Sequence, residues 1–121
     1  MHIELARLIA RSTDSSLMFQ EVMSTIRRHY ECTPVAFSVG ESTPSPVRNP
    51  AGTNAASSQL LAFGKRLGLD EQTLLGLYAE HYRDVLADPA GSNHANIRAF
   101  MTGGWAGVSL PADPLRLRGP G

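Results

Sequence analysis

Hydrophobic residues fall on the helical period in five stretches of this chain and on period two in one. Residues 3–11 set Ile3, Leu5, Ala6, Leu8 and Ile9 in a broad apolar stripe, which predicts a short helix that forms by docking. Thr13, Asp14, Ser15 and Ser16 then offer N-caps to the next segment. There Phe19, Val22, Met23, Ile26 and Tyr30 share one helical face, with Gln20, Glu21, Arg27 and Arg28 off it. That helix is expected to end at Thr33-Pro34, because the residue before a proline is pushed out of the α region.

From Val35 the period changes. Val35, Phe37 and Val39 alternate with Ala36 and Ser38, so an extended segment is predicted, closed by Gly40. Residues 41–57 carry Pro44, Pro46, Pro50 and Gly52 among small polar residues and read as a long loop. Only Val47 hints at a return strand. Helical spacing resumes with Leu60, Phe63, Gly64 and Leu67, and Gly68 stops it. Asp70 caps a further helix with Leu74, Leu77, Tyr78, His81 and Val85 on its inner face. Asp88-Pro89-Ala90-Gly91 is a turn. Ser92 or Asn93 caps a last short helix that buries Ile97, Phe100 and Met101 and ends at Gly103-Gly104.

The pattern therefore predicts a mainly α domain: four or five helices with one short hairpin or extended segment, α+β at the margin. Residues 1–110 form the single globular unit. Residues 111–121, rich in proline and glycine, form a flexible tail. Phe19, Val22, Ile26, Phe63, Leu67, Leu77, Tyr78, Ile97 and Phe100 are expected to share one core.

Composition narrows the functional classes. A chain of 121 residues with 42% apolar and 18% charged residues is an ordinary globular domain. Eleven basic residues balance eleven acidic ones, which argues against nucleic-acid binding and against a polybasic membrane contact. No apolar run approaches the ~20 residues that a membrane span needs. The first residues, with Glu4 among them, do not read as a secretory signal, so a cytoplasmic protein is expected. The single cysteine, Cys32, allows no intrachain disulfide and fits a reducing compartment. It sits beside Glu31 with no lysine near it, and reads as a small core residue rather than a nucleophile.

Candidate chemistry concentrates between Tyr82 and Gly107. Asn93, His94, Asn96 and Arg98 cluster at a helix start, where backbone N–H groups and the helix dipole favour an anion. Arg98, one turn beyond His94, offers a planar fork. With Asn54 and Ser57 from the long loop, and Trp105 nearby, these residues could hold a carboxylate or phosphate. The weightier expectation is that they cap helices and tie the loop down. A Ser57–His94 catalytic pair lacks a third orienting group and a G-x-S-x-G elbow. His2, His29, His81 and His94 show no H-x-x-x-H or C-x-x-C spacing, so neither a metal nor another cofactor is read. His81 lies on an apolar face and reads as a satisfied core residue. Glu80 and Asp84 read as a solvated face, and Trp105 as a lid on the core.

The same residues carry a resemblance. Tyr30, Thr33-Pro34, Ala36-Phe37 and Gly40 resemble a helix-to-extended junction of the HopJ type III effector family. Gly52, Asn54, Ser57 and Ala62-Phe63 are similar to its central loop and helix. Tyr82-Arg83, Val85-Leu86-Ala87, Pro89, Gly91, His94, Asn96-Ile97-Arg98, Phe100-Met101 and Gly104-Trp105-x-Gly107 resemble its carboxyl half. The chain departs from the family at Ala56, where a glycine is common, and in the prolonged tip Thr43-Pro44-Ser45-Pro46. The resemblance implies a small bacterial protein that acts through a protein partner and travels through a type III system. It supplies no catalytic residues. The alternative is a small ligand-binding domain or enzyme that uses a polar cleft around Asn54, His94 and Arg98. Nothing in the residues sets an oligomeric state.

Overall fold

The computed structural model describes residues 2–119. Helix α1 (Ile3–Ala10) is capped by His2, whose Nδ1 accepts from the Glu4 N–H at 3.0 Å, and it buries Leu5 and Leu8. A 3-10 turn at Arg11–Thr13 follows. Helix α2 (Phe19–His29) starts under two carboxylates. Glu21 accepts from the Met18 N–H at 3.3 Å and Glu80 from the Phe19 N–H at 2.6 Å. Its buried face is Val22, Met23, Thr25 and Ile26.

That helix stops at His29, four residues before Thr33, and Tyr30–Cys32 become strand β1. The reason is a partner from the far end of the chain. Leu115–Leu117 form a strand that pairs antiparallel with β1, setting Tyr30 opposite Leu117 and Cys32 opposite Leu115. The Thr33 N–H also donates to the Pro114 carbonyl at 2.9 Å. Residues 111–119 are thus not a free tail. Pro114 is fully buried, Leu115 is 4% exposed, and Arg66 donates to the Leu115 carbonyl at 3.0 Å. The apolar side chains of this segment have a core to enter, which outweighs its proline and glycine content. Residues 120–121 of the expected tail lie outside the described residues.

Strands β2 (Phe37–Val39) and β3 (Val47–Asn49) form the hairpin, with Phe37 opposite Asn49 and Val39 opposite Val47. The return strand at Val47 is therefore real, and the long loop shrinks to a hairpin tip and a short link. The strand carrying Leu115–Leu117 becomes β4 in chain order.

Helix α3 (Ala55–Leu67) ends at Gly68, whose φ of 66° and N–H bonds to the last carbonyls close it as expected. Asp70 caps α4 (Glu71–Leu77) by accepting from the Thr73 N–H at 2.8 Å. The stretch read as one helix then breaks at Ala79, with φ 57° and ψ −124° at a residue 1% exposed. The break lets α4 seat Gly76 against the Ser12 carbonyl while Glu80, the first residue of α5 (Glu80–Ala87), reaches the start of α2. Helix α6 (Ala95–Gly103) and a 3-10 turn at Trp105–Gly107 complete the elements.

The architecture is mainly helical, α+β at the margin. Phe63, Phe100, Leu17, Ile26, Leu60, Leu61, Leu74 and Leu77 are its fully buried centre. All nine residues expected in the core belong to it, with Phe19 and Leu67 at its edge.

Candidate functional site

Three non-glycine residues among those described hold a positive φ: Asn54 at 53°, Ala79 at 57° and His94 at 52°. Such backbone is disfavoured in a residue with a side chain, least so in Asn and His, and at Ala79 it costs of order 1–3 kcal/mol that surrounding structure must enforce. Two of them, Asn54 and His94, line one cleft of about 330 Å³. Ala79 stands between Tyr78 and His81, which also line it, as do Phe19, Ser57 and Asn96.

The cleft is where helix starts converge. First-turn residues of α2, α3, α5 and α6 all face it. Asn54 and His94 are the N-cap residues of α3 and α6, and neither makes a side-chain capping bond; nor does Ala79 at the start of α5. Left-handed caps turn the side chain away from its own helix, so the first-turn N–H groups keep no partner from that source.

Each lining residue has a distinct job. Asn96 and Asn49 exchange two amide hydrogen bonds of 3.0 Å, and Asn54 donates to Asn49 Oδ1 at 2.8 Å. This cluster ties hairpin β2–β3 to α6 and to the start of α3. Ser57 Oγ accepts from the Tyr78 hydroxyl at 3.2 Å, and burial pushes that hydroxyl up to about 12, with the Ser57 bond partly offsetting. Phe19 stacks on Tyr78 at 5.8 Å between ring centroids and meets the edge of His81 at 5.0 Å.

His81 and His94 stand side by side, ring centroids 5.0 Å apart. His94 Nε2 lies 3.5 Å from Asp84 Oδ2. One donor atom from each of His81, Asp84 and His94 falls within 4.8 Å of the others, a grouping unique among the described residues. These two imidazoles and one carboxylate are the part of the site able to hold a metal ion.

The structure brings Asn54, Ser57, His94 and Asn96 together as the sequence suggests, but not Arg98 or Trp105. Arg98 turns back onto the preceding turn, donating to the carbonyls of Asn93 and Pro89 and to Asn93 Oδ1 at 2.6–3.2 Å. Trp105 donates from Nε1 to the Leu69 carbonyl at 2.8 Å and packs edge-on against Phe100 at 5.1 Å, covering the core at Gly64. A Ser57–His94 hydrogen bond is not among those formed; Ser57 Oγ accepts from Tyr78 instead. Cys32 lies outside the cleft and burial pushes its thiol up, in keeping with a structural role.

Sequence reasoning missed His81, Asp84 and Tyr78. The available signal was the spacing H-x-x-D, which sets His81 and Asp84 one turn apart on α5. Their meeting with His94 depends on how α5 and α6 cross. A wider hollow of about 410 Å³ lies by Phe37, Arg48, Pro50 and Pro111. Its two titratable groups, Glu41 and Arg48, are already paired at 3.1 Å. No helix among the described residues is long and apolar enough to cross a membrane.

Comparison with known proteins agrees with this architecture. Residues 5–115 match the family described as HopJ type III effector protein. A crystal structure titled as that of an unknown function protein, VPA0580, is similar at 31% identity with a TM-score of 0.84. The match covers 98% of this chain and 97% of that one. No curated protein matches the chain.

Proposed function

The chain belongs to the HopJ type III effector family, and on that footing we propose that it binds a small carboxylate- or phosphate-bearing ligand in the cleft between α3, α5 and α6. One observation carries this reading: Asn54 and His94, both held in left-handed backbone at a helix start, line that cleft. Strain of this kind gathers at ligand sites because a preformed site is maintained by the rest of the fold. The starts of α3 and α6, which face the cleft and carry no acidic residue in their first turns, favour negative charge. His81 and His94 add two imidazoles, and Ser57 a hydroxyl.

Action through protein contacts alone, the reading suggested by the family's description, has less to support it. The large exposed apolar residues, Ile3, Met18, Leu86, Met101 and Leu117, are spread over α1, the start of α2, α5, α6 and β4. The proposal assigns binding and no reaction. Residence in the bacterial cytoplasm before export through a type III system forms part of it, on the family's description.

Titration of the ¹⁵N-labelled protein with inorganic phosphate, and separately with acetate, tests it. Saturable shifts are expected at the amides of Ala56, Ser57, Ala95 and Asn96. Shifts that stay linear in concentration, or that centre on Arg48 or Arg98, would sink the reading.

A further inference from the structure

His81, Asp84 and His94 form a grouping that ligand binding by helix starts does not require. Two imidazoles set with centroids 5.0 Å apart repel each other when both are protonated. Neutral imidazoles bind first-row divalent metals, and a carboxylate completes a common donor set. Zinc holds imidazole nitrogen and carboxylate oxygen at about 2.0–2.2 Å, so neighbouring donors of a tetrahedral site lie roughly 3.4 Å apart. The His94–Asp84 separation of 3.5 Å already meets this. The remaining spans stay within 4.8 Å, and the Asp84 side chain, 61% exposed, has room to turn.

The surroundings hold the rings in place. His81 is fixed edge-on against Phe19, whose other neighbour is Tyr78. His94 is held by its left-handed backbone at the head of α6. The neighbouring charges are engaged elsewhere: Glu80 accepts from Phe19 N–H and Arg83 donates to the Leu17 carbonyl at 2.8 Å. The chain's other imidazole pair, His2 and His29, is a poorer candidate. Its carboxylate, Glu4, is bound to Arg28 at 3.0 Å.

We propose that His81, Asp84 and His94 bind a single first-row divalent cation, with zinc the best fit, at the mouth of the cleft. Three protein donors leave at least one coordination position open, as zinc sites that bind exogenous ligands do. Both histidines line the cleft, so a ligand seated there would stand beside the metal. The metal site stands on the donor geometry. That its open position takes the oxyanion of a cleft ligand rests on the preceding proposal.

Calorimetric titration of the chelator-treated full chain with zinc chloride tests the site. One equivalent is expected to bind at micromolar Kd or tighter. His81→Gln, Asp84→Asn and His94→Asn should each weaken it by roughly tenfold or more, since even outer-sphere changes cost 10–100-fold. Asparagine tolerates the backbone at 94, and circular dichroism checks that each variant is folded. Absence of binding by the folded wild-type chain overturns the proposal. So does binding that these variants leave unchanged, or that His29→Gln abolishes. Phosphate and acetate titrations with and without zinc separate the two ideas. Saturable oxyanion shifts without zinc binding would keep the cleft reading and remove the metal. Zinc binding without oxyanion shifts in either state would do the reverse.

Discussion

Asn49 and Asn96 lie 47 positions apart and exchange a reciprocal pair of amide hydrogen bonds, each 3.0 Å, inside the protein. Both are buried, at 4% and 7% exposure. Asn49 also donates to the carbonyls of Phe37 and Val47 and accepts from Asn54, so its polar atoms are fully used. Truncating Asn96 to alanine removes both 3.0 Å bonds and leaves the Asn49 side-chain N–H groups only the two 3.4 Å contacts. A loss of about 1–3 kcal/mol is expected in urea unfolding. In a double-mutant cycle with Asn49→Ala the two losses should fall well short of adding. Additive losses would show that the pair does not act as a unit.

Gly76 gives a prediction that runs against helix propensity. Alanine for glycine in a helix interior normally stabilises by up to about 1 kcal/mol. At this position a Cβ would overlap the Ser12 carbonyl oxygen, and that atom is backbone and cannot swing aside. Gly76→Ala should therefore destabilise by about 1–3 kcal/mol or more. Gly119, where an added Cβ meets nothing, serves as the control. Any gain in the denaturation midpoint of Gly76→Ala would refute the packing of α4 on the Ser12 turn.

Tyr78 makes stability fall at high pH. Burial raises its hydroxyl from 10 to about 12, so the unfolded chain releases a proton that the folded chain retains. The contribution is complete below pH 10 and is lost as pH rises through 12, amounting to roughly 2–3 kcal/mol. Urea midpoints between pH 9 and 12 should drop more steeply for the wild type than for Tyr78→Phe. Parallel slopes would mean the hydroxyl is not desolvated as described.

Local rules reached much of this fold. Gly68 and Asp70 end and start their helices as their chemistry dictates, because capping involves atoms within one turn. The face Val22, Met23 and Ile26 is legible for the same reason. The break at Ala79 is not, since alanine is the best of helix formers and nothing beside it in the chain signals a turn. The contacts that impose it come from Ser12 and Phe19. In the site, Asn54, Ser57, His94 and Asn96 were recognisable as polar residues at helix starts. Arg98 bonds backbone carbonyls, in line with the weightier expectation for the cluster, but which carbonyls was not legible, because an arginine's spacing does not tell which way its long side chain folds. His81 resembled a core histidine because it shares the helical phase of Leu74, Leu77, Tyr78 and Val85, while the rings beside it, Phe19 and His94, come from other elements.

Pairing β1 with β4 closes a loop that takes in most of the chain, from Tyr30 to Leu117. The entropy of such a closure is recovered only after the intervening helices have condensed. The strand pair should consequently be absent from the folding transition state and present only in the finished molecule. It works as a latch. Leu115→Ala should then leave the refolding rate nearly untouched and speed unfolding by the whole of its destabilisation. The lifetime of the native state, more than the ease of reaching it, is what residues 111–119 govern.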